Sequence, residues 1–539
     1  MNSSRSYALL AVSLASLLLV TGCSSWNSQE TEKSQEQLSE DDETKQVTVL
    51  YVADLHAQLQ EHTELFWEDG EERMETAGGF ARVSQAISEI RQERDGDVLV
   101  LDAGDTIQGS GEAALTEGAA VVSPLNAIGL DAGIPGNWEV AYGADVLRER
   151  LDQFDHDIFA ANLRDEATGE RLFEPYIIRE VGGVKVAVIG YTDPDVPERQ
   201  PPAYSTGLSY TGPEELPGLV KEVREEHGAE VVMLMSHIGL SKAIALTDEL
   251  PAMDAHLSGD THERTYEPID RDGTWVVEPG AFGSFLGRLD LWVRDGEVVD
   301  RKWELIELSA ENFDRDEQVL ELVEQSTAPV RDELDEKIGH THSHLARYNV
   351  IETNLDHVLA DALRETTGTD IAMSNGFRFG HPVLPGPIRE SDLWRFYPIV
   401  TNLKTGEVTG AQLREFWESE LENVFAVDPA ERFGGWIPRP SGMKMSFVAN
   451  AEKGERVQQI WVNGELLDDD KTYTVTACER EGEPQSTLCR MPDAKNTKVH
   501  ELDAHQAVRQ YLGNHDYIQS SLEGRVIALD LPQILRTQL

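Results

Sequence analysis

Basic residues are scarce in this chain. Across 539 residues, 46 Lys and Arg stand against 98 Asp and Glu, a formal net charge of −52. So little cationic surface argues against nucleic acid as a partner, because neutralising a phosphate backbone takes clustered Lys and Arg. Long apolar runs are also missing beyond the N-terminus, so the mature chain is expected to contain no transmembrane helix. Cysteine occurs only three times, at 23, 478 and 489. Aromatics make up 7% and hydrophobic residues 40%, ordinary values for a globular protein, and no internal repeat is visible. The length exceeds what one core supports and predicts several domains. The carboxylates are spread along the chain, which reads first as a solvated acidic surface suited to a salty medium and second as a cation-binding face.

At the N-terminus, Arg5 precedes an apolar run from Ala8 to Val20, too short to span a bilayer as a mature helix. It ends in Val20-Thr21-Gly22-Cys23, which resembles a bacterial lipobox. Residues 1–23 are therefore expected to be a lipoprotein signal, with Cys23 lipidated and the membrane met only through that anchor. Ser24, not Asp, follows the cysteine, which in lipoproteins of this kind implies retention at the outer membrane, facing the periplasm. With Cys23 used for lipid, Cys478 and Cys489 remain to pair in an oxidising compartment. Residues 24–46 are polar without apolar period and read as a disordered tether.

The stretch Val98-Leu-Val-Leu-Asp102-Ala-Gly104-Asp105 stands at the centre of the chain. A short apolar run reads as a buried strand, and it stops at carboxylates and a glycine. Open α/β sheets bind ligands at the carboxyl ends of their strands. Three other runs end alike: Val47–Val52 into Asp54-Leu-His56, Val231–Met235 into Ser236-His237, and Ala255–Leu257 into Gly259-Asp260-Thr-His262. With Gly136-Asn137 from a loop between, oxygen and imidazole donors converge from five places, which predicts a metal site, and a binuclear one. Two ions about 3.5–4 Å apart share a carboxylate, and Asp105 is the natural bridge. Asp54 and His56, two residues apart, would face one ion from an extended segment, and Asp260 with His262 repeats the spacing.

Strand and helix patterns alternate over 47–308. Gly78-Gly79 opens a helix whose Phe80, Val83, Ile87 and Ile90 share a face, and other helices are expected near 143–154 and 219–226. Residues 309–337 read as a charged helical connector, and 338–535 as a second, smaller α/β domain. Its landmarks are helices over Asn354–Arg364 and Thr409–Val424, the loop Ser374-Asn375-Gly376-Phe377-Arg378-Phe379-Gly380, and the Gly/Pro-rich stretch from Phe433 to Gly442 that holds Trp436. His340, His342 and His344 follow the connector rather than a buried strand and read as surface or edge-strand residues. His62, His156, His227 and His500 have no partners in sequence and are read as surface residues.

Taken together, Asp54-Leu-His56, Gly104-Asp105-Thr, Gly136-Asn137-x-Glu139, Ser236-His237-x-Gly239 and Gly259-x-Thr261-His262 resemble the motif series of calcineurin-like metallophosphoesterases. The whole chain resembles the 5′-nucleotidase family. That resemblance implies a four-layer αββα metallophosphoesterase domain followed by a substrate-binding domain. It implies that Asp54, His56, Asp105 and His262 hold one ion while Asp105, Asn137, His237 and Asp260 hold the other, with Asn137 and Asp105 also serving catalysis. The ions implied are divalent, Mn²⁺ first, with Mg²⁺, Zn²⁺ or Co²⁺ as alternatives. The implied reaction is hydrolysis of a small phosphate ester or anhydride, of nucleotide type, by a metal-bridging hydroxide.

Two departures stand out. Family members carry Gly-Asn-His-Glu with an Asp two residues on, where this chain has Gly136-Asn137-Trp138-Glu139-Val140-Ala141; the usual proton donor is gone. A Gly-His-x-His pattern is replaced by Gly259-Asp260-Thr261-His262, and Asp remains a competent hard ligand. The loop at Ser374–Gly380, and Trp138 itself, resemble the SoxB-type thiosulfohydrolases of the same superfamily. Arg378 fits an anion-binding role under either likeness, beside Asn375 and Phe377, while Phe433 and Trp436 are candidates to stack a base or to be core. Alternatives are therefore a SoxB-like release of sulfate from a carrier-protein cysteine, the one case that needs a protein partner, and a catalytically weak metal-binding lipoprotein.

Overall fold

Two α/β domains emerge in the computed structural model, which describes residues 44–68, 71–95 and 97–531. The expected signal with Cys23, the tether as far as 43, and everything past 531 lie outside the described residues. Among the described residues no helix is long and apolar enough to cross a membrane. The first strand starts at Lys45, inside the segment expected to be tether.

The N-terminal domain is built on two six-stranded sheets. One runs Glu297–Glu307, Phe285–Arg294, Lys45–Val52, Val98–Asp102, Ala132–Gly133, Asp157–Ile158; the other runs Ile269–Arg271, Thr274–Val277, Ala255–Ser258, Val231–Ser236, Val184–Tyr191, Tyr176–Val181. Side chains alternate across each sheet as the pleat requires. Val47, Val49, Tyr51, Leu99 and Leu101 of the first meet Val186, Val188, Val231, Met233 and Leu257 of the second in a dry layer between them. The opposite parity of the first sheet, Leu50, Val52, Val98 and Val100, packs on the helices Phe80–Glu93, Ala119–Ile128 and Glu317–Thr327. Ala187, Ile189, Val232 and Leu234 of the second pack on Leu216–Glu225 and Leu240–Glu249. The result is the four-layer αββα arrangement.

Register then places the site. Val52 lies opposite Asp102 in a parallel pair, and Ser236 lies opposite both Tyr191 and Ser258. The loops after these strands consequently leave at one edge of the paired sheets. The segment read as a connector does not stand free: Val319 and Val323 of Glu317–Thr327 are buried in the first domain's helical layer, because an apolar stripe is stable only when covered.

The C-terminal domain joins a five-stranded sheet, ordered Pro440–Ser441, Ile371–Met373, Thr472–Cys478, Asn402–Thr409, Lys495–Asp503, to a four-stranded one. The helices Asn354–Thr367, Gly410–Phe425 and Ala504–Asn514 complete it. Thr353 caps the first through the Asp356 N–H, and Thr409 with Gln412 forms a capping box on the second. Cys478 and Cys489 stand with Cα atoms 5.5 Å apart and sulfurs in bonding reach. His340 falls on the two-stranded pair Lys337–Thr341 with Gly386–Arg389, and His342 is exposed. Two histidines depart from expectation: His62 and His156 are buried. The partners of His62 are mostly remote, Ser284 Oγ at 3.0 Å from its Nε2 and the His381 ring stacked at 4.8 Å, and only Glu64, with Oε2 at 3.7 Å, is near in sequence.

Candidate metal centre and substrate cleft

The donor residues owe their convergence to sharp turns at the strand ends. Asp54, His56, Asp105, Asp260 and His262 have φ of 53°, 45°, 59°, 96° and 58°, a region non-glycine residues seldom occupy. Such strain persists only where the surroundings fix it, and it clusters at functional sites. Asp54 and His56 therefore meet around one point through left-handed turns and not along an extended segment. Backbone bonds hold the turns: the Asp54 N–H donates to the Gly104 carbonyl at 2.9 Å and the His56 N–H to the Asp105 carbonyl at 2.8 Å.

Two groups of donors result. Asp54, His56 and His262 place one ligand atom each within 4.8 Å of one another, and so do Asp54, Asp105 and His237. Asp105 Oδ2 lies 3.6 Å from His56 Nε2 and 3.2 Å from His237 Nε2, between the two groups, while its Oδ1 accepts the Trp138 N–H at 2.7 Å. Asp54 belongs to both groups. Asp260 and Asn137 stand together beside the second, with Asn137 Nδ2 donating to Asp260 Oδ1 at 2.7 Å. Asp260 Oδ2 is buried and accepts no hydrogen bond from the described residues.

The residues fit divalent ions. His237 donates through Nδ1 to the Ala103 carbonyl at 2.7 Å, leaving Nε2 buried without a hydrogen bond; His56 is anchored likewise on the Gln108 carbonyl at 2.9 Å. Fixing one ring nitrogen so that the other presents a lone pair is how metal-binding histidines are oriented. Burial pulls the His56 imidazole down to about 4, and burial, then the neighbouring His56 ring and the Arg378 guanidinium, hold His262 well below its usual range. Both are neutral at pH 7, as a cation requires. Burial, and then the like charges of Asp105, Glu278 and Asp260, push the Asp54 carboxyl up even beside His237. Buried negative charge in that excess is relieved by a cation.

Glu139 organises the central loop. Its carboxylate accepts the N–H groups of Thr106 at 2.6 Å, Gly136 at 2.6 Å and Asp105 at 3.2 Å. Gly136 is required by close approach: a Cβ there would lie 2.3 Å from Asp105 Oδ1. Gly136→Ala is expected to shift the central carboxylate and cost on the order of 10²-fold in activity, as misplacement by an ångström does. The variant should retain its melting temperature within a few degrees, so kinetics and a thermal melt on the same sample test it.

A cleft of about 160 Å³ runs from this centre into the C-terminal domain. His56, Asp105, Asp260 and His262 line one end, and Arg378, Asn375, Phe377, Phe433 and Trp436 line the rest. Arg378 Nη2 donates to the Asp260 carbonyl at 2.6 Å, and its Nε has no partner among the described residues. Asn375 instead turns its Oδ1 to the Arg347 guanidinium at 2.7 Å. Phe433 is ringed by cations, with Arg199, Lys242 and Arg490 each 5.9 Å from its centroid, and Arg439 lies 5.6 Å from the Trp436 centroid. Trp138 packs edge-on to Phe377 at 5.4 Å and Phe379 at 5.9 Å, and Phe379 packs on His56 at 4.6 Å. An apolar wall occupies the place of the usual proton donor.

Sequence reading passed over Arg199, Gln200, Arg480 and Phe379. A signal existed for the first two. Val184–Tyr191 is a fifth apolar strand running into Thr192-Asp193, and Arg199 Nη1 donates to Asp193 Oδ2 at 2.6 Å.

Comparison with known proteins agrees with this architecture. Residues 47–264 match the calcineurin-like phosphoesterase family model, and residues 337–478 match that of the 5′-nucleotidase C-terminal domain. The chain is a metallophosphoesterase of the 5′-nucleotidase family. As such it is a metal-dependent hydrolase. Protein UshA of Yersinia enterocolitica is 24% identical, the match covering 89% of this chain and 93% of that protein. A 5′-nucleotidase of Vibrio cholerae is 25% identical over 86% of this chain and 88% of its own length. Among solved structures, the sulfate thiohydrolase SoxB of Thermus thermophilus superposes with a TM-score of 0.82 at 25% identity, covering 90% of this metallophosphoesterase and 97% of that chain. A 5′-nucleotidase precursor from the same species gives 0.78 at 22%, covering 90% and 100%, a likeness of fold.

Proposed function

We propose that this protein hydrolyses phosphate esters or anhydrides with two divalent ions, Mn²⁺ first among them. The observation that carries the proposal is Asp105 Oδ2, placed between the Nε2 atoms of His56 and His237 at 3.6 and 3.2 Å. Asp54, His56, Asp105 and His262 would hold one ion, and Asp105, Asn137, His237 and Asp260 the other. Ions so held supply a nucleophile at neutral pH and neutralise charge developing on the transferred group. The chain's own residues do the rest. Arg378 offers a fork to the anionic group, and Trp138, Phe377 and Phe379 exclude water around the leaving group. Glu139 keeps Asp105 in register from behind.

The test is a substrate panel on the Mn²⁺-loaded protein, measuring phosphate release from nucleoside monophosphates, nucleotide-sugars and aryl phosphates, and sulfate release from a cysteine S-sulfonate. Phosphate release supports the proposal. Sulfate release without phosphate release would replace it by the thiohydrolase reading, which Trp138 and the likeness to SoxB favour.

Location belongs to the same proposal: attachment through Cys23 to the cell envelope, with the protein in the periplasm and Cys478 bonded to Cys489. Thiol titration of the denatured, unreduced, acylated protein should then find no free thiol. A reactive Cys478 or Cys489 would refute the bond, which would close an 11-residue separation and stabilise the fold by roughly 3 kcal/mol in the chain-entropy picture.

A further inference from the structure

The C-terminal domain reaches the second donor group through two arginines, Arg378 on the Asp260 carbonyl and Arg480 on the segment beside it. Arg480 Nη2 donates to two backbone carbonyls of the N-terminal domain, Glu198 at 2.6 Å and Gln200 at 2.8 Å. Its Nε lies 3.0 Å from Glu483 Oε1, so the charge is matched on its own side. The same loop adds the Glu481 carbonyl, which accepts the Ala203 N–H at 3.3 Å. It also packs closely, since a Cβ at Gly482 would lie 3.1 Å from Pro202 and 3.2 Å from Ala203.

The two carbonyls that Arg480 holds bracket Arg199, and both side chains of that short segment reach the second donor group. Arg199 Nη2 donates to Asp260 Oδ1 at 2.8 Å. Gln200 Nε2 donates to Asn137 Oδ1 at 3.1 Å, and Asn137 closes the ring by donating to Asp260 Oδ1. With Oδ1 occupied twice, Asp260 keeps Oδ2 as its one unpartnered oxygen. The helix Val196–Arg199 is a single turn with no side-chain cap, anchored on its own side by buried Val196 and by the Arg199–Asp193 pair. An uncapped turn of that length has almost no stability of its own, so its geometry is set by what grips it. Asp54, His56 and His262 are set by the strand-end turns of the N-terminal domain, and the C-terminal domain meets them through ring contacts, Phe379 on His56 at 4.6 Å.

We infer that Arg480 is a positioning residue for the second metal position: docking of the C-terminal domain, through Arg480 and the 198–200 backbone, presents Asn137 and Asp260 together. The inference rests on the two-metal reading above. It makes the two ions unequal, the second alone depending on the Arg480 contact.

Mn²⁺ titration of the intact chain by calorimetry, with electron paramagnetic resonance on the same samples, tests it. The unaltered protein is expected to bind two equivalents and to show the exchange-coupled pair signal. In Arg480→Ala the first equivalent should bind within about twofold of the unaltered protein and the second at least about tenfold more weakly. Its spectrum at one to two equivalents should be that of isolated Mn²⁺, turning to the coupled signal at high Mn²⁺. Arg480→Lys, which can still donate to the carbonyls, should recover part of the loss. Should Arg480→Ala lose the first equivalent as well, Arg480→Gln carries the test by the same criterion. Two equivalents at unchanged affinity in the Arg480 variants would overturn the inference alone. Fewer than two in the unaltered protein would overturn the two-metal reading, and the inference with it.

Discussion

Asp105→Asn is expected to abolish hydrolysis and to leave the protein with less than its full complement of metal. The reason is position. Asp105 Oδ1 is committed to the Trp138 N–H at 2.7 Å, so Oδ2 alone faces both His56 and His237. An amide in place of the carboxylate removes the negative charge from that point and offers either a neutral oxygen or an N–H₂ group to two cations. Charge stabilisation of several kcal/mol is at stake, on the order of 10³-fold or more in rate. The fold should survive, because the isosteric amide can still accept the Trp138 N–H. Elemental analysis and turnover on one preparation decide the matter. An active Asp105→Asn protein carrying two full equivalents would mean that Asp105 does not bridge, and Asp54, the other carboxylate common to both donor groups, would take that place.

Much of the fold and of the site is legible in the sequence. An apolar run of Val and Leu followed by Asp or His marks a parallel strand and its carboxyl end, and Val98–Asp102, Val231–Ser236 and Ala255–Ser258 are all strands because burial on both faces leaves nothing else for such runs to do. Helix Phe80–Glu93 followed from spacing alone, and its Phe80, Val83, Ile87 and Ile90 are buried. What escaped is what depends on distance in three dimensions. Arg480 lies 282 residues from Glu198, and nothing in either stretch announces the other. The hairpin His62–Glu68 with Glu71–Ala77 escaped because its sequence is charged and carries no clear alternation. Asp54 and His56 were expected on extended backbone, whereas the left-handed turns arise from the loop's bonds to Gly104 and Asp105, which local preference cannot reveal. Phe433 shows a different limit: its sequence context suits a stacking platform, but three cations already surround its ring.

Hydrolysis should depend steeply on leaving-group basicity. A departing alkoxide is a strong base, and a positioned acid typically assists its departure by ~10²–10⁴-fold. Here the position next to Asn137 carries an indole, buried at 8% exposure in an apolar cluster with Phe282 and Phe379. Ala141, packed against the same cluster, carries no carboxylate to orient a proton donor. Substrates that leave as weak bases should therefore suffer least: anhydrides such as nucleotide-sugars, activated aryl phosphates and thiolate-leaving thiosulfonates. Nucleoside monophosphates should be slow. Trp138→His with Ala141→Asp is expected to restore the assistance, because the two positions share one turn, the Ala141 N–H donating to the Trp138 carbonyl at 2.9 Å. A carboxylate at 141 would then orient and charge an imidazole at 138. The double variant should raise the rate on alkyl phosphates more than on aryl phosphates, and so flatten the plot of rate against leaving-group pKa. Kinetics on a graded series of aryl and alkyl phosphates, run on both proteins at saturating Mn²⁺, measure the two slopes. A shallow slope in the unaltered protein would show that another residue delivers the proton, and Trp138 would then be a wall of the cleft with no bearing on which groups can leave.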